Sequence, residues 1–168
     1  ASYVLTDDDY VSFRNKVKNL YLQSAKGFGV NLKKFFPTSE NESIKKELNI
    51  LDNDFVLIYV GRLVAFKGFG MVLEILHGLN RNYSDNNEKF KLIVCGREDS
   101  IRGMGLNDEQ MKLWNEDENI IKVGFVEDVR PYLSLAHLNI FPSQREGMPV
   151  NLMESIAMGV PCITSSYR

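Results

Sequence analysis

Cysteine and histidine are scarce in this chain, with two of each among 168 residues. Neither type is clustered, which argues against a zinc site or any other His/Cys metal centre. Cys95 and Cys162 each sit in an apolar, strand-like run, so two buried free thiols in a reducing compartment are expected rather than a disulfide framework. An excess of either charge is also lacking. Lys and Arg number 20 against 22 Asp and Glu, a net charge of −2, without the basic surplus that marks nucleic-acid binding. No apolar run approaches the ~20 residues of a membrane-spanning helix, and no secretory signal pattern is visible. A complete glycine fingerprint for dinucleotides is missing too. Gly103-Met-Gly105 is only part of one, in a polar loop and not after a strand. What remains, 44% hydrophobic and 25% charged, is ordinary for a globular domain with one core and an extra arm.

The most informative stretch runs from Ser143 to Pro161 and holds Glu146 and Glu154 with seven residues between them. Leu138 to Phe141 before it reads as a short buried strand. From Met148 to Met158 the pattern is helical, with Val150, Met153, Ile156 and Ala157 on one face. Gly159 stops the helix and Pro161 follows as a breaker. Pro149 fits the first helical position, where no N–H is needed. The amides of Val150 and Asn151 are then left for an anion at the positive end of the helix. Two acceptor-only carboxylates beside such a helix start suit a ligand with hydroxyls at both ends and phosphates between. A nucleotide sugar has that form. Two glutamates at this spacing also arise by chance, so the weight lies on the strand–turn–helix frame around them.

The rest of the chain alternates strand and helix. Residues 1–36 read as an arm and connector: a helix over Asp7 to Val17, a short strand at Leu20 to Gln23, flexible backbone at Gly27 to Gly29, then a linker. Such an arm cannot bury a core alone, so it packs on the main domain, packs on a neighbouring chain or stays mobile. Residues 37–168 read as the main domain. A helix is expected over Ser39 to Leu48, capped by Thr38 or Ser39. Strands are expected at Phe55 to Val60, Phe90 to Cys95, Ile120 to Val123, Leu138 to Phe141 and Pro161 to Thr164. Helices are expected at Lys67 to Leu79, Leu106 to Trp114 and Val129 to Ala136. Continuous apolar strands alternating with helices predict an α/β, Rossmann-like parallel sheet with helices on both faces. Ligands of such sheets bind at the carboxyl ends of the strands, where Gly61, Gly96, Phe125 and Ser143 fall. Arg62 and Lys67 flank one of these strand-to-helix turns. They are either solvated loop cations or a clamp for a diphosphate.

Four stretches resemble one family in order and spacing: Gly27-Phe-Gly-Val-Asn-Leu-Lys-Lys-Phe35, Val60-Gly-Arg-Leu-Val-Ala-Phe-Lys-Gly68, Val123-Gly-Phe-Val126, and Phe141-Pro-Ser…Glu146-Gly-Met-Pro…Glu154-Ser-Ile-Ala-Met-Gly-Val-Pro161. They resemble the retaining glycosyltransferases of the GT-B fold, family 4, and most closely the bacterial members that build cell-surface polysaccharides. The resemblance implies that residues 37–168 are the nucleotide-sugar-binding half of that fold, incomplete at its C-terminus, and that 1–36 is a remnant of the first domain. It implies Arg62 and Lys67 on the diphosphate, Glu146 on the sugar and Glu154 on the ribose. Gly61, Gly147, Met148, Pro149, Val150 and Asn151 would line the donor. Phe125 and Val126 would hold the base, and Gly96 and Arg97 its ribose edge, although Arg97-Glu98 departs from the more usual Asp-Gly there. No metal or other cofactor is implied. The implied partners are a nucleoside-diphosphate sugar and, through the missing first domain, a glycan or lipid-linked acceptor. The implied location is the cytoplasm or the inner face of the membrane, with peripheral contact by the full-length protein. A fragment of this kind would bind nucleotide weakly and turn over nothing.

Three rivals are weaker. A nucleotide-sugar epimerase on the same architecture needs acid–base residues facing the sugar, and only Glu146 and His137 are near. A non-catalytic nucleotide-binding module fits the same motifs without turnover. An NAD-dependent oxidoreductase lacks its fingerprint. Asp7-Asp-Asp9 and Asp52-Asn-Asp54 match the D-x-D metal motif formally, but neither follows a strand. His137 is expected to be structural, and His77 to be an ordinary helix residue without a role in the chemistry.

Overall fold

A computed structural model describes residues 2–4, 11–17, 20–22, 29–39, 41–83, 89–99 and 103–166. Near the start, β1 (Ser2–Val4) pairs in parallel with β2 (Leu20–Leu22). Of the helix expected over Asp7 to Val17, residues 7–10 lie outside the described residues and only 11–13 of the rest are helical, with turns following; Gly27 and Phe28 also lie outside. The main domain contains α1 (Glu42–Glu47), β3 (Phe55–Val60), a 3-10 turn (Ala65–Lys67) and α2 (Phe69–Tyr83). It continues with β4 (Phe90–Cys95), α3 (Asp108–Glu116), β5 (Ile120–Gly124), α4 (Arg130–Leu133), β6 (Leu138–Phe141), α5 (Val150–Ala157) and β7 (Cys162–Thr164).

The five strands of the main sheet are all parallel, in the order β5-β4-β3-β6-β7. Along β3 the residues Val56, Leu57, Ile58 and Tyr59 are all buried, as a central strand covered on both faces requires. Leu57 and Tyr59 pack with Val94, Phe69, Leu73 and Leu76 on the α2–α3 side. Val56 and Ile58 pack with Ile93, Leu133 and Met158 on the other. The α/β sheet with helices on both faces is therefore as expected. Phe35 is 7% exposed and joins the second cluster together with Val30, so the connector packs on the main domain.

Several boundaries differ from expectation, each for a local reason. The first main-domain helix begins at Glu42, because Asn41, and neither Thr38 nor Ser39, caps it: the Asn41 side chain accepts from the Ile44 amide at 3.2 Å. Lys67 is the end of a 3-10 turn, since Gly68 takes a left-handed φ of 75° and α2 starts after it. That helix runs on to Tyr83, past the expected end at Leu79. Asn107 caps α3 in a capping box with Gln110, so Leu106 lies outside it. Pro149 is the N-cap of α5, with ψ 104°, one position earlier than expected. The buried face of α5 is Leu152 and Ser155, whereas Val150 is 42% and Ile156 65% exposed. The apolar pattern misled because the inward position is a serine: the fully buried Asn139 donates to Ser155 Oγ at 2.7 Å.

His137 has the structural role expected of it. The Val56 amide donates to His137 Nδ1 at 3.0 Å, and the His137 ring stacks on Phe55 at 4.9 Å. This is at the amino end of β3, away from the strand termini that matter below. Asp52 pairs with Lys45 at 2.9 Å, while Asp54 accepts from the Leu51 amide at 2.9 Å. Asp7 to Asp9 lie outside the described residues. Cys95 is buried and Cys162 half-buried, both as free thiols; burial pushes the Cys95 thiol up to about 12.

Candidate functional site

The strand order reverses at β3. Chain-wise the sheet grows from β3 through β4 to β5, then returns to the other side of β3 as β6. Loops leaving β3 and β6 therefore diverge to opposite faces, and a crevice opens at their carboxyl ends. The loop after β3 carries Arg62 and Lys67; the loop after β6 carries Glu146.

Three glycines let these ends pack closely. The Gly61 amide donates to the Cys95 carbonyl at 3.0 Å, and the Gly96 amide to the Gly124 carbonyl at 2.8 Å. A Cβ on Gly96 would fall 1.9 Å from the Gly61 oxygen. Gly68 is similarly constrained: besides its positive φ, its Cβ would meet the Pro142 oxygen at 2.2 Å. The Gln144 amide also donates to the Phe66 carbonyl at 2.9 Å. The β3 and β6 loops are thus fixed to each other before any ligand arrives.

Within this frame Lys67 Nζ pairs with Glu146 Oε1, the two side chains only 16% and 12% exposed. Glu146 could have paired with its neighbour Arg145; it pairs instead across 79 residues of sequence. Lys67 Nζ also lies 5.5 Å from the Phe66 ring centroid and 5.9 Å from that of Phe141. Arg62 is over the same Phe66 ring at 5.4 Å, and its guanidinium contacts Asp99 at 3.3 Å with its side chain 53% exposed. Both cations and the first glutamate of the Glu146/Glu154 pair are therefore together.

A cavity of about 290 Å³ adjoins this cluster, lined by Gly61, Arg62, Gly96, Arg97, Phe125 and Val126. Phe125 is 65% exposed, which excludes core packing as its role. Arg97 lies over its ring at 5.2 Å, so an aromatic face and a guanidinium plane stand at the mouth. Five residues marked from the sequence, Gly61, Gly96, Arg97, Phe125 and Val126, are gathered here. Gly147 is exposed and Met148 half-buried in the loop before α5.

The α5 end is arranged otherwise than expected in one respect. Among the described residues, the Val150 and Asn151 amides have no hydrogen-bond partner, as a helix start leaves them. The Asn151 side chain, however, donates to the Val60 carbonyl at 2.7 Å. Ser155 Oγ donates to the Asn151 carbonyl at 2.8 Å. Asn151 thus ties the α5 start to the end of β3. Tyr59 does the same for the neighbouring turn: its hydroxyl donates to the Arg62 carbonyl at 2.7 Å. Burial first, and then the Glu146 charge, push that hydroxyl's pKa up, which keeps it a donor. Sequence reading missed both contacts. A tyrosine in an apolar strand reads as core, and the Asn151–Val60 contact spans 91 residues of sequence.

Glu154 follows Asn151 by three residues in α5, on a neighbouring position of the helix surface, within electrostatic reach of Lys34 in the connector and of Asp128. Its carboxyl is held above the usual glutamate range, chiefly by burial; Lys34 opposes the rise and Asp128 adds to it. Arg130 holds Asp128 bidentately at 2.8 and 2.6 Å and lowers its pKa. A raised folded-state pKa gives stability that is present below the unfolded value and lost as pH rises through the folded value. At neutral pH ionised Glu154 therefore costs the fold stability. Glu154→Gln should raise the melting temperature near pH 7, and the gain should close in acid, where both states hold the proton. A melting curve unchanged across that range would count against the burial of this carboxylate.

With the geometry established, comparison identifies the family. A profile of the family described as glycosyl transferases group 1 matches residues 40–168. The chain belongs to that family. Among curated relatives, it is 26% identical over 157 residues to an Escherichia coli UDP-Gal:alpha-D-GlcNAc-diphosphoundecaprenol alpha-1,3-galactosyltransferase, covering 90% of this chain and 40% of that protein. It is 27% identical over 154 residues to the Staphylococcus aureus capsular polysaccharide biosynthesis glycosyltransferase CapM, covering 90% of this chain and 38% of that protein. The group 1 chain thus spans about two fifths of these relatives' length. Among solved structures, sucrose-phosphate synthase from Thermosynechococcus elongatus superposes with a TM-score of 0.69 at 23% identity, covering 98% of this chain and 40% of that one. The sheet described above is therefore the Rossmann-like architecture of GT-B glycosyltransferases.

Proposed function

We propose that this chain is the donor-binding part of a retaining, family 4 glycosyltransferase that acts in bacterial cell-surface polysaccharide synthesis. It takes a nucleoside-diphosphate sugar. The acceptor, a glycan or lipid-linked sugar, is held by another part of the protein, which acts in the cytoplasm or at the inner membrane face. The observation that carries this reading is the gathering of Arg62, Lys67 and Glu146 at the sheet's reversal point, beside the cavity lined by Phe125 and Val126. The diphosphate meets Arg62, Lys67 and the α5 amides, while the base enters the cavity beside Phe125 and Val126, with Arg97 at its edge. Glu146 accepts from sugar hydroxyls, and Glu154 from the ribose. As the sugar–phosphate bond lengthens, charge grows on the leaving oxygen where the two cations already stand. The acceptor hydroxyl attacks on the face the diphosphate leaves and gives its proton to the departing phosphate oxygen, giving retention. Fixed side-chain charges supply the leaving-group stabilisation, so the scheme includes no metal. His137, at the far end of β3, gives the epimerase reading no acid–base partner.

Calorimetric titration with UDP, GDP, ADP and NAD tests this. One nucleoside diphosphate should bind. Lys67→Ala and Glu154→Ala should each weaken it by about tenfold or more, the loss of one charged hydrogen bond. Preference for NAD, or no binding by any nucleotide, would sink the proposal.

A further inference from the structure

In the ligand-free site the cation expected to hold the diphosphate is already neutralised by the carboxylate expected to hold the sugar. Lys67 and Glu146 are mutual partners, each nearly enclosed, and the Phe66 and Phe141 rings close over the ammonium. Neither group can change partner independently. A diphosphate arriving alone draws Lys67 toward itself and leaves Glu146 as an enclosed carboxylate beside new negative charge. An uncompensated charge in such a place is strongly disfavoured. Acceptor-only carboxylate oxygens are relieved only by donors. The attached sugar brings hydroxyl donors to Glu146 at the same moment that its diphosphate brings oxygens to Lys67.

We propose that the Lys67–Glu146 pair makes the site discriminate the intact sugar nucleotide from the nucleoside diphosphate that the reaction leaves behind. The inference rests on the donor-site reading above and deepens it. Before transfer both members of the pair have new partners. Once the sugar has gone, Glu146 has lost its donors and competes with the diphosphate for Lys67, which drives the spent nucleotide out. Glu146 therefore sets the order of affinity as well as holding the sugar, and removal of its charge should make the product bind better.

Two titrations test this. For the base selected by the calorimetric panel, the wild-type chain is titrated with the nucleoside diphosphate and with a sugar nucleotide of the same base, for example UDP and UDP-galactose. The intact donor should bind tighter by about tenfold or more. In Glu146→Gln, a side-chain oxygen remains for Lys67 to donate to, but the competing charge is gone. Its nucleoside diphosphate affinity should rise by about tenfold and the difference between the two ligands should shrink; a thermal melt checks folding. Equal wild-type affinity for both ligands overturns the inference without the variant. Unchanged or weaker diphosphate binding by folded Glu146→Gln overturns it as well, and in both cases the donor-site reading stands. Failure of every nucleotide to bind overturns that reading and the inference with it.

Discussion

Gly96→Ala should cost the fold about 3 kcal/mol or more and abolish nucleotide binding, the largest effect expected of any single methyl group in the site. The added carbon would lie 1.9 Å from the Gly61 oxygen, 3.0 Å from the Gly61 carbonyl carbon and 3.2 Å from Leu63 Cδ2. The first two contacts are backbone, so no rotamer change relieves them. Nor can the strand ends part freely. Gly61 is bonded to the Cys95 carbonyl, Leu63 to that of Arg97 and Gly96 to that of Gly124. Parting β3 from β4 would break the first two of these bonds, and the third holds the end of β4 to β5. Overpacking with no compliant neighbour belongs to the most damaging class of substitution. Gly78→Ala is the matched control. It lies inside α2 with nothing within 4 Å of its Cβ, and should stabilise by about 0.5–1 kcal/mol through helix propensity. Urea denaturation of both variants reads the difference. A Gly96→Ala protein as stable as wild type would mean that the Gly61 and Gly96 turns do not approach as described.

Which parts of this were legible in the sequence depends on how local their cause is. The strands β3, β4 and β6 were read to the residue, because a short apolar run bounded by turn residues is self-contained. Helix starts were read less well. Asn41 rather than Ser39, and Pro149 outside rather than inside the helix, are choices made by backbone angles that composition does not fix. The buried face of α5 was misread because Ser155 replaces an apolar residue there, and its partner Asn139 is on another element. The same distinction holds in the site. Arg62, Lys67, Glu146 and the glycines carry motif spacing. The contacts that fix them, Tyr59 to Arg62 and Asn151 to Val60, depend on a hydroxyl and an amide in otherwise ordinary positions. That Lys67 and Glu146 face each other is a property of the strand order, since β3 and β6 become neighbours only through the crossover.

That pair also gives the second large effect. Lys67→Met should destabilise the chain by about 3 kcal/mol, because it leaves the Glu146 carboxylate enclosed and unpartnered. The side chains are 16% and 12% exposed, so water relieves part of the penalty, and the lower part of the range for broken buried pairs is expected. The double variant Lys67→Met/Glu146→Met should return to within about 1 kcal/mol of wild type. Two thioethers can pack against the Phe66 and Phe141 rings that now face the ammonium, and replacing both members of a buried pair is often neutral. Nucleotide binding should be weakened by about tenfold or more in both variants. Urea denaturation alongside calorimetry therefore separates stability from binding: the single variant loses both, and the double regains only the first. A double variant as unstable as the single one would show that the pair itself holds the β3 and β6 loops together. Recovery of the fold without recovery of binding would mean that the charges are kept for the ligand, with the fold needing only that they be kept or removed together.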